Sequence, residues 1–490
     1  MTDPRTAERR RWIALALLAM AQFVVVLDAS IVNVALPSIG ADLEFSQENL
    51  SWVVNAYVLT FGGFLLLGGR IADLLGRRRV FMAGLLVFAL ASLAGGFAES
   101  EGALIAARAV QGLGAAILSP AALSIVTTTF RDGAERNKAL GVWGAVAGSG
   151  GAAGVLLGGV LTDGVGWEWV LWVNVPIGII AAALAPSLIA ESRSTSLTRA
   201  FDFGGAVSVT AGLSILVYAL VDAEQAGWGS TQTIGLLAVA AILLATFVAI
   251  ELRSASPLVP FRIFRKRTLT GANAVGLLIG ASLFSMFFFI SLYMQQVLGY
   301  SAIKAGISYL PLALTIIASA GLASVLVTRI GFKPVMATGL GLIAAGLAWF
   351  SQVSVGGTYL GDILFPSLLA AAGLGFAFVT TTIAAVSGVA ERESGLASGL
   401  INTSQQVGGA LGLAVLATVA NSRTADVTAS TGGDPAALAT ALTEGFQSAF
   451  LGGAAIALLG LVATLVLIRG RDSRDHVELG RAEAVAEVNA

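Results

Sequence analysis

Residues 12–37 read WIALALLAMAQFVVVLDASIVNVALP. From Trp12 to Leu36 there are 25 residues with a single ionisable side chain, Asp28. A helix of about 20 apolar residues crosses the hydrocarbon core of a bilayer, so this stretch spans it with some tilt. Asp28 is the anomaly. A carboxylate at that depth costs roughly 2.5 to 3.5 kcal/mol on insertion scales, so it is neutralised, paired, or turned towards a water-filled cavity. It is therefore a functional candidate.

The rest of the chain repeats this pattern without the acid. Of its 490 residues 56% are hydrophobic and only 12% charged, which excludes a soluble globule, where about 25% are charged. No cysteine is present, so disulfides, thiolate metal sites and cysteine catalysis are excluded. Arg5, Arg9, Arg10 and Arg11 precede an apolar run too long for a cleaved signal, and the run reads as an uncleaved first helix. Fourteen such runs are expected, near 12–36, 50–69, 79–98, 103–129, 138–161, 167–190, 203–222, 232–251, 268–298, 303–328, 334–352, 360–388, 396–421 and 446–469. They lack the alternation and short length of barrel strands, so the expected class is an all-α membrane protein of fourteen transmembrane helices. With the loops numbered alternately from an inside N-terminus, 25 of the 28 Lys and Arg fall inside. Lys304 and Arg423 fall outside, and Arg108 lies within the fourth span. That asymmetry predicts cytoplasmic N- and C-termini.

Two loops echo each other. Gly76 with Arg78 recurs as Gly331 with Lys333, and Ala134-Glu135-Arg136 recurs as Ala390-Glu391-Arg392. The offsets are 255 and 256 residues, which argues for a duplicated six-helix unit. The expected plan is a cytoplasmic start (1–11), a six-helix bundle (12–190), a linker with two extra helices (191–267), a second six-helix bundle (268–469) and a cytoplasmic tail (470–490). Two homologous halves around a midplane site suit alternating access.

After the second span the chain reads Gly69-Arg70-Ile71-Ala72-Asp73-Leu74-Leu75-Gly76-Arg77-Arg78-Arg79. Asp73 stands one turn past Gly69, where it can pair with an arginine or cap a neighbouring helix. The loop resembles the signature of the major facilitator superfamily in Gly69, Asp73, Gly76, Arg77 and Arg78, and departs from it at Leu74. Leu27-Asp28 through Ile31 to Pro37 is similar to the first-helix motif of the fourteen-span drug:proton antiporters, the family of multidrug efflux transporters. Arg108-Ala109-Val110-Gln111-Gly112-Leu113-Gly114 resembles the proton-transfer motif of that family. Arg108 and Gln111, three residues apart, share a helix face. The pair Asp28 and Arg108 reads either as a static buried ion pair or as a proton carrier whose acid is favoured neutral by oil and ionised by the guanidinium. In the fifth span Gly154, Gly158 and Gly159 resemble the antiporter motif, with Val155 where a proline is expected. The resemblance implies that Gly69, Asp73, Gly76, Arg77, Arg78, Gly154, Gly158 and Gly159 form a conformational gate.

Cargo-lining candidates are neutral polar or aromatic: Gln22, Asn33, Asn55, Tyr57, Phe284, Phe288, Tyr293, Gln295, Asn402, Gln405 and Gln406. On an ideal helix Gln22 and Asn33 project within about 20° of each other and Asp28 more than about 100° away, so proton and cargo sites are expected to adjoin rather than coincide. As a set they describe a largely apolar pocket suited to lipophilic ligands. Members of the family that export divalent cations tend to carry a further acid in the tenth span, and residues 302–328 have none. The cargo is therefore expected to be neutral, zwitterionic or monocationic. There is no Gly-x-x-x-x-Gly-Lys loop, so ATP is not the expected energy source. Residues 422–445 are expected to hold a short amphipathic helix after Asp434-Pro435. The tail after Gly470, with the only histidine, His476, is expected to be disordered and solvated.

The reading is a proton-coupled exporter of lipophilic drugs working by alternating access. The alternatives are a dedicated exporter of one metabolite, lipid or antibiotic and, less fitting, a non-transporting receptor or enzyme. Its expected partners are a small lipophilic substrate, protons and membrane lipids. It is expected to act as a monomer in the bacterial cytoplasmic membrane, without cofactor, metal or nucleic acid.

Overall fold

A computed structural model of the chain describes residues 4–45, 47–130, 133–192, 202–254, 257–390, 393–431 and 437–478. Every regular element among the described residues is helical. The first part comprises α1 (Pro4–Asp42), α2 (Gln47–Leu50), α3 (Trp52–Leu75), α4 (Arg77–Gly96), α5 (Glu101–Thr129), α6 (Ala134–Gly164), α7 (Glu168–Trp172) and α8 (Asn174–Leu188). Then come α9 (Phe203–Ala226) and α10 (Thr231–Glu251). The last part comprises α11 (Arg267–Leu292), α12 (Ala302–Ser308), α13 (Leu310–Ile330), α14 (Phe332–Phe350), α15 (Phe365–Val386), α16 (Ser394–Ser430) and α17 (Leu438–Leu467). Twelve of the described helices, several joined across a short turn, are long and apolar enough to cross a membrane. The two pieces of α6, bent by 42° between Gly151 and Ala153, make a thirteenth when counted as one span. The span expected near 396–421, the thirteenth in chain order, falls on α16, which is not among these helices; it carries Asn402, Gln405, Gln406, Arg423 and Asp426 along its length.

The helices pack as two sets. In one, α1 lies along α6, α5 is flanked by α3 and α4, and α4 meets α8; in the other, α11 packs on α16 and α17, while α14 and α13 flank α15. The sets touch where α6 meets α13 and α15, and where α16 meets α3 and α5. Small residues allow this closeness, since between helices in lipid it is packing and hydrogen bonding that hold them together. Gly76 and Gly331 each join two helices with almost no loop, at φ 109 and 86°. A side chain is strained there, which is why the echo of the sequence falls on glycine. The second echo, Ala390-Glu391-Arg392, lies partly outside the described residues.

Helix α9 spans the seam between the sets. Trp52 of α3 stacks on Tyr218 at 5.6 Å, and Trp228 just past α9 donates to the Thr418 hydroxyl of α16 at 2.7 Å. At the other end of this pair, the Glu251 carboxylate accepts the backbone N–H groups of Leu258 and Val259 at 3.1 and 3.0 Å. Arg70 of α3 donates to the Pro257 carbonyl at 3.1 Å. The chain after α10 is thereby fastened to the end of α3 that carries Asp73.

Two expectations need correction. Residues 470–478 are helical, and His476 is buried rather than solvated. Its ring packs edge-on to Phe332, Nε2 lies 3.1 Å from Oδ1 of Asn137 on α6, and Ser473 Oγ accepts the Lys333 N–H at 3.1 Å. Polar partners thus hold this short segment, which is why its lack of apolar residues misleads. The second correction concerns residues 438–445: they are the first two turns of α17 and not a separate amphipathic helix. Asp434-Pro435 lies outside the described residues.

Candidate functional site

Asp28 is fully buried between α1, α4, α5 and α8. Its Oδ2 accepts Nη1 of Arg108 at 2.6 Å, and its Oδ1 accepts the side-chain amides of Gln111 and Asn174, each at 2.8 Å. Arg108, itself 1% exposed, spends its other donors on the Gln111 carbonyl oxygen at 2.7 Å and, through Nε, on the Val53 backbone carbonyl at 3.0 Å. Its guanidinium stacks over the Tyr57 ring, 4.4 Å from the centroid. The charges therefore cancel locally in a medium that screens poorly, and every partner of the carboxylate is a donor.

Ser92 of α4 orders the two amides. Its Oγ accepts the second N–H of both Gln111 and Asn174 at 3.0 Å, while its own hydroxyl donates to the Leu171 carbonyl at 2.8 Å. Ser92 and Asn174 were not expected from sequence. The only hint is that Asn174 is a lone amide in an otherwise apolar sixth span.

Glycines press α6 onto this site. A methyl group built on Gly154 would overlap Ser30 Oγ and lie 2.8 Å from the Leu27 carbonyl oxygen; one on Gly158 would lie 2.8 Å from the Ile31 carbonyl oxygen. Both contact the backbone of α1 on either side of Asp28. Gly159 faces away, towards Ile303 of α12.

A second cluster closes one end of the molecule. Asp73 is fully buried, binds Arg77 at 2.8 Å, and accepts the backbone N–H groups of Gly395 and Leu396 at 3.1 and 3.0 Å. A carboxylate thus caps α16 where its free N–H groups point. Gly69 and Gly395 allow the helices to meet there. Arg77 also donates to Ser192, and Arg78 donates to the Ile189 carbonyl at 3.1 Å and pairs with Glu191. Ser124 and Ser394 share a hydrogen bond of 2.7 Å across the same seam. Asp73→Ala removes both cap bonds and leaves Arg77 without its carboxylate. Ser398 is fully buried, its hydroxyl has no partner among the described residues, and the sequence has no cysteine, so Ser398→Cys makes a clean reporter. Its maleimide labelling is expected to rise at least roughly tenfold when Asp73→Ala is added, given about 1.5 to 3 kcal/mol for a charged hydrogen bond.

The cargo candidates are scattered. Gln22 is buried and accepts from Ser119 at 2.8 Å; Asn33 is exposed and donates to the Ala29 carbonyl. Asn55 and Gln406 are half-buried, and Asn402 donates back to Ser398. Phe284 and Phe288 are each 39% exposed on α11. Gln405 is buried with an amide nitrogen that finds no partner among the described residues. Two candidates are placed against the expectation. Tyr57 is packed under Arg108, its hydroxyl donating to the Val25 carbonyl, and Tyr293 is buried with its hydroxyl on the Ser354 carbonyl at 2.7 Å. Gln295 is exposed and bonded to Ser291.

Against known proteins, residues 18–413 match the model of the Major Facilitator Superfamily. A cephamycin export protein of Amycolatopsis lactamdurans is 44% identical over 93% of this chain and 92% of its own length. A puromycin resistance protein of Streptomyces alboniger is 40% identical over 94% of this chain and 92% of its own. Among solved structures, a proton:xylose symporter of the same superfamily overlays with a TM-score of 0.62 at 13% identity, covering 94% of this chain and 96% of that one, a likeness of fold. The chain belongs to the major facilitator superfamily and is a multi-pass membrane transporter whose bacterial relatives include antibiotic export and resistance proteins.

Proposed function

We propose that the protein is a proton-coupled exporter of lipophilic antibiotics or other toxic compounds, of the fourteen-span drug:proton antiporter kind, in the bacterial cytoplasmic membrane. The observation that carries this reading is the fully buried Asp28 carboxylate, matched to one guanidinium and two amides deep in the first helical set. A buried acid whose only charged neighbour can be approached or withdrawn is able to take and give a proton as the helices move. In this reading α16 also crosses the membrane and brings the spans to fourteen, both termini are cytoplasmic, and residues 12–190 and 268–469 are the two moving bundles around the extra pair α9 and α10. The seam tied by Asp73 is then the cytoplasmic side, closed, so that cargo would leave outwards. Exchange against protons gains about 1.4 kcal/mol per proton per pH unit and roughly 2.3 kcal/mol per charge per 100 mV.

The test is made in proteoliposomes with an acid interior, where adding a transported compound should release protons in proportion to its uptake. Uptake that persists undiminished with the proton gradient collapsed would remove the coupling. A second reading, a dedicated exporter of one antibiotic, is favoured by relatives whose names each cite a single compound. Cells expressing the protein decide between them: resistance to chemically unrelated compounds supports the first, and resistance to one class the second. In either case a dicationic dye is expected to be exported poorly. The deep site has one carboxylate, already matched to Arg108, and a second positive charge would find no buried partner there.

A further inference from the structure

The carboxylate of Asp28 is held by three N–H donors, and one of them, Asn174, belongs to no motif that the sequence singles out. Asn174 is fully buried at the first residue of α8. One of its N–H groups reaches Asp28 Oδ1 at 2.8 Å and the other reaches Ser92 Oγ at 3.0 Å, whereas its carbonyl oxygen has no partner among the described residues. Ser92 cannot turn freely, since its hydroxyl is committed to the Leu171 carbonyl at the end of the preceding short helix. The amide is therefore fixed with its donating edge towards the acid. We infer that Asn174, held in place by Ser92, is a positioning residue that sets the pH at which Asp28 takes up its proton. This rests on the proton-carrying reading of Asp28.

The chemistry is directional. An ionised carboxylate accepts from all three neighbours at once; a protonated one has an O–H to place and gives up one acceptor site. Donors that bind the charged form favour it. Among the described residues, the charged or titratable groups facing Asp28 are Arg108 from α5 and Tyr57 from α3; α4 offers Ser92, α8 offers Asn174, and α6 offers the glycine face of Gly154 and Gly158. Asn174 is thus the neutral contribution of α8 to a site otherwise governed by Arg108. When Asp28 is neutralised, the bond that fastens α8 to α1 weakens, so the same residue links the proton to the sixth span.

Infrared spectra of the protein in proteoliposomes, recorded across pH, follow the protonated-carboxyl band that disappears in Asp28→Asn. In Asn174→Leu the midpoint of that band is expected to move alkaline by about one pH unit or more, since a donor to the charged form is lost. The pH for half-maximal substrate-driven proton release should move with it. Asn174→Gln, which keeps the amide, should return both towards the original values. Ser92→Ala, which frees the amide without removing it, should move them the same way by less, and serves if Asn174→Leu does not accumulate. A titrating band whose midpoint stays put in Asn174→Leu, or in Ser92→Ala should that variant alone fold, overturns the inference while leaving the proton-carrying reading intact. If no such band titrates and Asp28→Asn still couples cargo to protons, that reading itself fails, and the role of Asn174 with it.

Discussion

Asp28→Asn should abolish substrate-driven proton release and at the same time weaken the folded protein. The two effects have different causes and can be separated. The substitution is nearly isosteric, so packing survives, but Arg108 is left charged and 1% exposed with no carboxylate in contact. Breaking a buried pair from one side costs about 3 to 5 kcal/mol. The Val53 carbonyl, Gln111 and the Tyr57 ring still solvate the guanidinium, which places the loss towards the lower end. Adding Arg108→Gln removes the stranded charge, and thermal stability in detergent should recover. Proton release should not recover, because the site then has no group to titrate. A double variant that regains stability together with coupled export would reduce Asp28 and Arg108 to a structural pair.

The second large effect is expected at Gly154. Valine there would drive a branched side chain into Ser30 and the Leu27 carbonyl, with Ile31 N 3.0 Å from its Cβ. These are mostly backbone atoms of a helix, which cannot give locally, so α6 and α1 must separate. Overpacking of this kind costs about 1 to 3 kcal/mol. The functional loss should exceed what that figure suggests, because Leu27 and Ile31 flank Asp28 and carry it out of register with Arg108. Gly164→Val on the same helix, where an added Cβ meets nothing within 4 Å, is the control and should transport normally. Equal rates for the two variants in vesicles would show that the close approach at 154 is dispensable.

How far the sequence reaches can be traced through particular residues. Asp28 and Arg108 can be named as a candidate pair from the sequence, because an ionisable group in oil demands a partner and no other charged pair is available within the spans; that their helices touch is seen only in the fold. Gln111 follows from sharing a face with Arg108. Asn174 and Ser92 cannot be found that way, since neutral polar residues are common in such helices and only the tertiary arrangement says which of them converge. The glycines at 154 and 158 are visible as a pattern, but the backbone atoms they meet are not. Tyr57 and Tyr293 mislead because an aromatic with a polar tip reads equally well as cavity wall and as packed core. The helix at 470–478 escapes notice because it is held by hydrogen bonds from Ser473 and His476 rather than by an apolar stripe. The seam at Asp73 is expected as a cap or an arginine pair, and it is both.

The seam also has a consequence for how the chain is made. Asp73 lies 322 residues before the Gly395 N–H that it caps. At synthesis rates of about 5 to 20 residues per second, roughly 15 to 65 seconds pass between the emergence of the acid and that of its partner. The Asn137 amide waits similarly for His476, 339 residues later. During that interval the early helices sit in the insertion machinery with polar groups at their ends still to be matched, and the nascent transporter locks only when the segments around Gly395 and His476 have left the ribosome.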